Sequence, residues 1–330
     1  MKLSLILVTL ASVLSFYSCA GDKSSKASST GSPTELVIVA EDNLWKTSLG
    51  DTVSAYFKSF RPGLSQPEPL FKIVQIKYDE FTRFFQSHRN ILAIAIDSSL
   101  QVAKYEKAAN VWAKPQRVIK ITAPTIELLK ASFYEHSRDI FNFYENAEIE
   151  RLQSMYSKNL NAKAIDLISK KFKLKMQIPV DYYVAVNQNN FLWLRKEANL
   201  YSQGLLIYSY PYTDTNAFNV RKIISVRNQF TRLYVPGAVD SSYMIVSRDT
   251  LFKPVKRMLD LKGELAVETR GLWDVEGDFM GGPFVNYTFV DKKNNMVIAL
   301  DGFVYAPNKN KVTFMREVQS ILLTFELIDK

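Results

Sequence analysis

The sequence predicts an α+β fold in two subdomains, with mainly antiparallel sheets flanked by helices. Three observations carry that prediction. Short β-rich runs recur along the chain, from residues 35–40 to residues 296–305. Residues 124–159 keep helical phase through Ile126, Leu129, Phe133, Ile140, Tyr144, Leu152 and Met155. The chain closes on an amphipathic stretch, 313–327, with Met315, Val318, Ile321, Leu322 and Phe325 in step.

Residues 35–40, ELVIVA, read as a strand ending in Glu41-Asp42-Asn43. Residues 51–60 put Val53, Tyr56, Phe57 and Phe60 on one helical face, stopped by Pro62-Gly63. Gln66-Pro67-Glu68-Pro69 is stiff and extended, because a residue before proline avoids the helical region. Residues 71–76 alternate as a strand, Asp79 is expected to cap a short helix through Ser87, and 91–96 form an apolar strand. Beyond Lys104 the chain turns through 110–116 into a strand at 117–121. Pro124 starts the long helix, and a second helix follows at 162–172.

In the later half, 182–187, 191–196 and 204–210 are aromatic-rich strands. Residues 216–230 are helical or mixed, and 232–235, 243–247 and 265–270 read as strands. Residues 254–261 read as a short helix. Residues 283–290 and 296–305 form a hairpin across 291–295. A boundary near 173–179 separates an N-terminal subdomain, 33–175, from a C-terminal one, 176–330.

Of the 330 residues, 47% are hydrophobic, which allows a sizeable core and excludes wholesale disorder. The single Cys excludes an internal disulfide, a Cys-based zinc site and an iron–sulfur cluster, and two His do not make a His-rich metal centre. No cofactor and no metal site are expected.

Residues 1–18 read as a lipoprotein signal peptide: Lys2, an apolar run over 3–17, then Ser18 ahead of Cys19. The run is too short for a membrane span of about 20 residues. Cys19 sits where signal peptidase II would cut and is expected to be lipidated. Phe16-Tyr17-Ser18 is bulkier than the usual lipobox, and an ordinary signal with a chance Cys is the plainer alternative. Residues 19–32 combine that Cys with a Ser-rich tether. Multiple acyl chains give the stable membrane attachment that one chain lacks.

The address expected is the cell envelope, anchored to the outer membrane. The periplasmic face is favoured, since Ala20 follows Cys19 and only Asp22 is acidic nearby. The formal charge of +9 favours lipid head groups, lipopolysaccharide phosphates or acidic glycans. Nucleic acid is not expected as a partner of an exported chain.

Several segments resemble one family of Bacteroidota lipoproteins, domain of unknown function 4837. They are Gln66-Pro67-Glu68-Pro69, His88-Arg89-Asn90, residues 110–116, Thr269-Arg270-Gly271-Leu272-Trp273, residues 278–284 and residues 301–307. The resemblance spans nearly all of 34–330. It implies an envelope address and no activity, because that family carries no assigned catalytic residues.

Residues 269–284 are the most unusual stretch. Arg270 suits bidentate capture of a carboxylate or phosphate, Trp273 offers a stacking face, and Gly281-Gly282 permits close backbone approach. The plainer reading makes Arg270 an ion-pair partner of Asp274 or Glu276, Trp273 core and Gly281-Gly282 a corner. His88 with Arg89 ends a helix before a strand, as a base and anion site or as a helix C-cap. His136 edges the long helix's apolar stripe and reads as structural. Asp278 and Asp301 are a carboxylate pair only if their separation allows it. The basic run 151–179 suits an anionic surface or a solvated helix face. No G-x-S-x-G elbow, phosphate loop or EF-hand pattern occurs.

The expected function is a lipid-anchored envelope binding or assembly factor, holding a protein or glycan partner through Arg270, Trp273, Gly281 and Gly282. An envelope hydrolase acting on glycan or peptide is the rival reading, and a structural subunit of an envelope complex is the third.

Overall fold

The computed structural model describes residues 26–328. The signal peptide and Cys19 lie outside the described residues. In chain order the first-half elements are β1 (Ala27–Ser28), β2 (Glu35–Val39), α1 (Asp42–Trp45), α2 (Ser48–Lys58), β3 (Lys72–Ile76), α3 (Arg83–Gln86), β4 (Asn90–Ile96), β5 (Lys104–Ala109), β6 (Ala113–Lys114), β7 (Arg117–Ala123) and α4 (Ile126–Tyr156). Then come α5 (Ala162–Phe172), β8 (Leu174–Lys175), β9 (Tyr183–Gln188), β10 (Phe191–Ala198), β11 (Tyr201–Pro211), α6 (Val220–Tyr234), β12 (Tyr243–Val246), β13 (Val255–Leu261), β14 (Glu264–Glu276), β15 (Gly281–Asp291), β16 (Met296–Tyr305), α7 (Val312–Leu322) and β17 (Glu326–Leu327). The fold is α+β, with the long helix in the first half and α7 near the C-terminus.

The first sheet has the order β3-β2-β4-β7-β5. Its first four strands run parallel, and β5 returns antiparallel along β7. Both faces are covered. Leu36, Ile38, Leu92 and Ile119 meet Val53 and Phe57 of α2 and Phe133 of α4. Val37, Val39, Ile91 and Val118 pack with Phe81 and Trp112 on the other side. Strands buried on both faces read as unbroken apolar runs, which is why 35–40 and 91–96 show no alternation.

The second sheet is antiparallel, in the order β12-β14-β15-β16-β11-β10-β9, with β13 on the other end of β14. One face packs on Ile168 and Phe172 of α5 and on Met315, Val318 and Leu322 of α7. The opposite face packs on Val226 and Phe230 of α6. Helix α4 lies against α7 and joins the halves. Since α5 and β8 bury their apolar residues against the second sheet, the packing divides the chain in the turn 157–161, one helix before the boundary expected near 175.

Three expectations are corrected. Residues 254–261 form strand β13, not a helix: Arg257, Leu259 and Leu261 turn inward at period two. Residues 232–234 are the last turn of α6, where Ile223, Val226, Arg227 and Thr231 share the buried face; Arg232 and Leu233 are good helix formers and continue that helix. Helix α3 starts after Thr82 rather than Asp79, and Phe84 stays 68% exposed.

The end of the expected tether is docked rather than free. Strand β1 pairs with β6, and Thr30 N donates to Ser87 O at 2.9 Å. No helix among the described residues is long and apolar enough to cross a membrane.

Candidate functional site

The register of β14 on β15 runs unbroken from Ala266 opposite Phe289 to Asp274 opposite Gly281. Alternate residues of β14 therefore face opposite sides. Arg270 and Trp273 are separated by that alternation and do not form one surface. Trp273 is 2% exposed, packs against Phe303 and donates Nε1 to Val304 O at 3.3 Å. Gly281 and Gly282 open strand β15; the turn is residues 277–280. A Cβ on Gly282 would lie 2.1 Å from Val304 O, so the missing side chain serves the packing of β15 on β16.

The other candidates are placed as follows. His88 is 8% exposed beneath Gly31, with Nε2 3.5 Å from Glu35 Oε2 and no hydrogen-bond partner on either ring nitrogen. Arg89 Nη1 donates to Glu148 Oε2 at 3.0 Å, inside a network with Arg151 and Asn90. His136 Nδ1 donates to Ser132 O at 2.8 Å, and the ring stacks on Tyr105. Asp301 is fully buried against Arg227, at 2.9 and 3.2 Å, while Asp278 lies in the hairpin turn, so the two make no carboxylate pair. In the basic run, Arg151 is buried in the Glu148 network and Lys170 pairs with Asp166.

Arg270 instead belongs to a cleft of about 770 Å³ between α4, the β13–β14 edge and α7. On its first-half wall, Arg61 forks onto Glu145 of α4 at 2.8 and 2.7 Å. Arg316 of α7 donates to the same carboxylate at 2.7 Å. On the sheet wall, Arg270 donates to Glu268 at 3.0 and 3.1 Å and to Gln319 Oε1 at 2.8 Å. Glu268 also accepts from Tyr287 at 2.9 Å and from Arg257 at 3.4 Å. Leu70, Phe141, Ile149, Met258 and Leu259 supply the apolar lining.

The arginines set the charge state. Burial alone would raise the Glu145 carboxyl, but Arg316 and Arg61 outweigh it and hold it well below the usual carboxylate range. Glu268 is likewise pushed up by burial and held down to about 2 by Arg270 and Arg257. Burial weakens the proton affinity of Arg270, yet the adjacent Glu268 leaves it above the usual arginine value. Arg61 falls below it, because burial exceeds the compensation from Glu145.

Sequence reasoning found Arg270 and missed Arg61, Glu145, Glu268 and Arg316. The signal was available at one of them: Glu145 follows Tyr144 in the buried part of α4. A charge on a buried helix face needs a partner. No group of three or more His, Cys, Asp or Glu that could hold a metal ion occurs among the described residues.

Residues 161–324 match the family described as a domain of unknown function (DUF4837), and residues 29–157 match a separate one, also a domain of unknown function (DUF8532). The seam falls in the turn after α4, where the packing changes. The segments 66–69, 88–90 and 110–116, expected to share the first likeness, lie in the second match. No curated protein matches the chain. Among solved structures, the chain is similar to the Saccharomyces cerevisiae Ran-binding protein Mog1p, at 6% identity and a TM-score of 0.30, covering 48% of this chain and 91% of that one. A mutant Mog1 protein is similar at 8% identity and a TM-score of 0.29, covering 48% and 92%. At those scores neither likeness bears on what this chain does. Through residues 161–324, which supply the β13–β14 wall of the cleft and helix α7, the chain belongs to the DUF4837 family.

Proposed function

We propose that this chain is a binding or assembly factor of the cell envelope, anchored through a lipidated Cys19 to the periplasmic face of the outer membrane. The cleft between its two halves takes the partner or ligand. The observation that carries this reading is the cleft itself. It measures about 770 Å³, within the range of ligand sites, and is lined by apolar residues with a few convergent charged groups. Both halves of the chain contribute to it, so occupancy and the relation of the halves are linked.

The chemistry of the cleft suits binding better than proton transfer. Glu145 and Glu268 are fixed as carboxylates by arginines, whereas a general acid needs a proton near neutral pH. Trp273 is buried and lines only a smaller cavity of about 270 Å³, with Trp193 and Tyr305, which leaves the cleft as the better contact candidate.

In-cell cross-linking followed by pull-down tests the reading. Three forms are compared: the full chain, Cys19→Ala, and Arg138→Glu with Lys256→Glu at the cleft rim. Arg138 and Lys256 are exposed and line the cleft, so reversing their charge leaves the core intact. One stoichiometric partner is expected on the full chain and lost in the rim variant, and Cys19→Ala is expected to leave the membrane fraction. No partner enriched in any form would sink the proposal.

A further inference from the structure

Four guanidinium groups meet two carboxylates at the cleft. Arg61 and Arg316 share Glu145, and Arg257 and Arg270 share Glu268. Arg316 is fully buried, and the side chains of Arg61 and Arg270 are only 5% and 12% exposed. Glu145 and Glu268 are also buried. The neutral partners are acceptors already in use: Pro33 O for Arg316 and Gln319 Oε1 for Arg270. Two positive charges are therefore left over, in a cluster of which only Arg257, with its side chain 41% exposed, reaches solvent substantially.

Uncompensated charge away from water is costly, so such an excess calls for a counter-charge. The donors to receive one are present. The Nε atoms of Arg61 and Arg257, on the cleft wall, have no hydrogen-bond partner. Arg61 and Arg257 line the cleft directly, and Arg138 and Lys256 add positive charge, against Asp260.

Resting on the reading of this cleft as the ligand site, we infer that it holds a phosphate ester, whose two negative charges balance the two that Glu145 and Glu268 leave over. Guanidinium forks match phosphate oxygens in geometry and charge. The cleft exceeds the needs of a bare phosphate, and its apolar side, Phe141, Ile149, Met258 and Leu259, receives the organic part of the ester. A free metabolite and a lipid head group share this chemistry.

The test uses the full chain, with inorganic phosphate and glycerol 3-phosphate as probes and sodium chloride at matched ionic strength as the reference. Both phosphates are expected to raise the melting temperature above the chloride reference. Arg257→Gln is expected to weaken the apparent Kd about tenfold, the scale of one charge-assisted contact. Lys170→Gln, which only breaks the surface pair with Asp166, leaves it unchanged. If Arg257→Gln fails to fold, Arg138→Gln at the exposed rim carries the same expectation with a smaller loss.

Equal shifts with phosphate and chloride, or equal loss in the Arg257 and Lys170 variants, would overturn the inference. Flotation of the Cys19→Ala form, which lacks the anchor, with phosphatidate vesicles separates the sources. Binding competed by glycerol 3-phosphate assigns a lipid head group, and phosphate binding without flotation assigns a soluble ester. Partner capture that persists without phosphate binding rejects this inference and keeps the binding role. Phosphate binding with no captured partner keeps this inference and rejects only the macromolecular partner.

Discussion

Glu68, in the first half of the chain, caps helix α7 in the second. Its two carboxylate oxygens accept from the backbone N–H groups of Lys311 and Val312, at 2.6 and 2.9 Å. Lys311 is the helix N-cap residue and offers no side-chain cap of its own. An acid at a helix N-terminus satisfies orphan N–H groups and meets the positive end of the helix dipole. Glu68 is 4% exposed, while Pro67 and Pro69 on either side face solvent. Glu68→Ala is expected to cost about 2–3 kcal/mol in urea unfolding, the range of hydrogen bonds to a charged group. Glu68→Gln keeps an acceptor and costs less. An alanine variant within about 0.5 kcal/mol of wild type would show that α7 does not depend on this cap.

Glu145 joins the same two halves through charge. It lies between Arg61 of the first half and Arg316 of α7. Removing the carboxylate charge leaves two guanidinium groups facing each other out of water. Glu145→Gln is expected to destabilise by about 3–5 kcal/mol, the cost of breaking a buried ion pair from one side. Guanidinium chloride is unsuitable for the measurement because it screens charge; urea reads it directly. A loss under about 1 kcal/mol would mean that the arginines find water or another anion when the carboxylate is gone.

Acid should loosen this junction over a defined window. Glu145 and Glu268 both have folded-state values below the usual 4.5 of a glutamate, Glu268 at about 2. A depressed carboxyl contributes stability that is full above the unfolded value and is lost as pH falls through the folded one. The melting temperature is therefore expected to hold between pH 7 and about pH 5, then fall toward pH 2. Glu268→Gln should start lower and flatten the fall between about pH 4.5 and pH 2. An equally steep profile in that variant would assign the acid sensitivity elsewhere.

Legibility in the sequence followed how local the cause was. Helix α5 was readable to the residue. Asn161 caps it by accepting from Ala164 N, and Ala164, Ile168 and Phe172 form one stripe. The β15–β16 hairpin was readable from its two apolar runs and the polar turn between them. Strands β5 and β13 were not, because each lies at a sheet edge with a wet face, and their polar residues resemble turn or helix surface. The cleft was the least readable feature. Arg61, Glu145, Glu268 and Arg316 lie far apart in the chain and meet only through the packing of α4 on α7 and β14. The Arg270–Trp273 adjacency in sequence suggested one surface, and the strand pleat sends the two side chains to opposite faces of the sheet.

The buried Arg227–Asp301 pair on the α6 face supplies a contrasting case. Both side chains are fully buried, and the guanidinium also lies 4.2 Å over the Phe284 ring. Asn286 donates to Asp301 at 3.0 Å and to Tyr208 at 3.0 Å, so it keeps a partner if the acid is replaced. Arg227 Nη1 has no partner, which leaves the pair incompletely satisfied. Removing one charge strands the other: Asp301→Leu alone is expected to cost about 3–5 kcal/mol. Replacing both, Arg227→Met with Asp301→Leu, removes two desolvated charges and the orphan donor, and is expected to return stability to within about 1 kcal/mol of wild type. Urea unfolding of the single and double variants measures the coupling between them. If the double variant is as unstable as the single one, the pair fixes the placement of α6 on the sheet through its geometry, and apolar packing alone does not hold that helix.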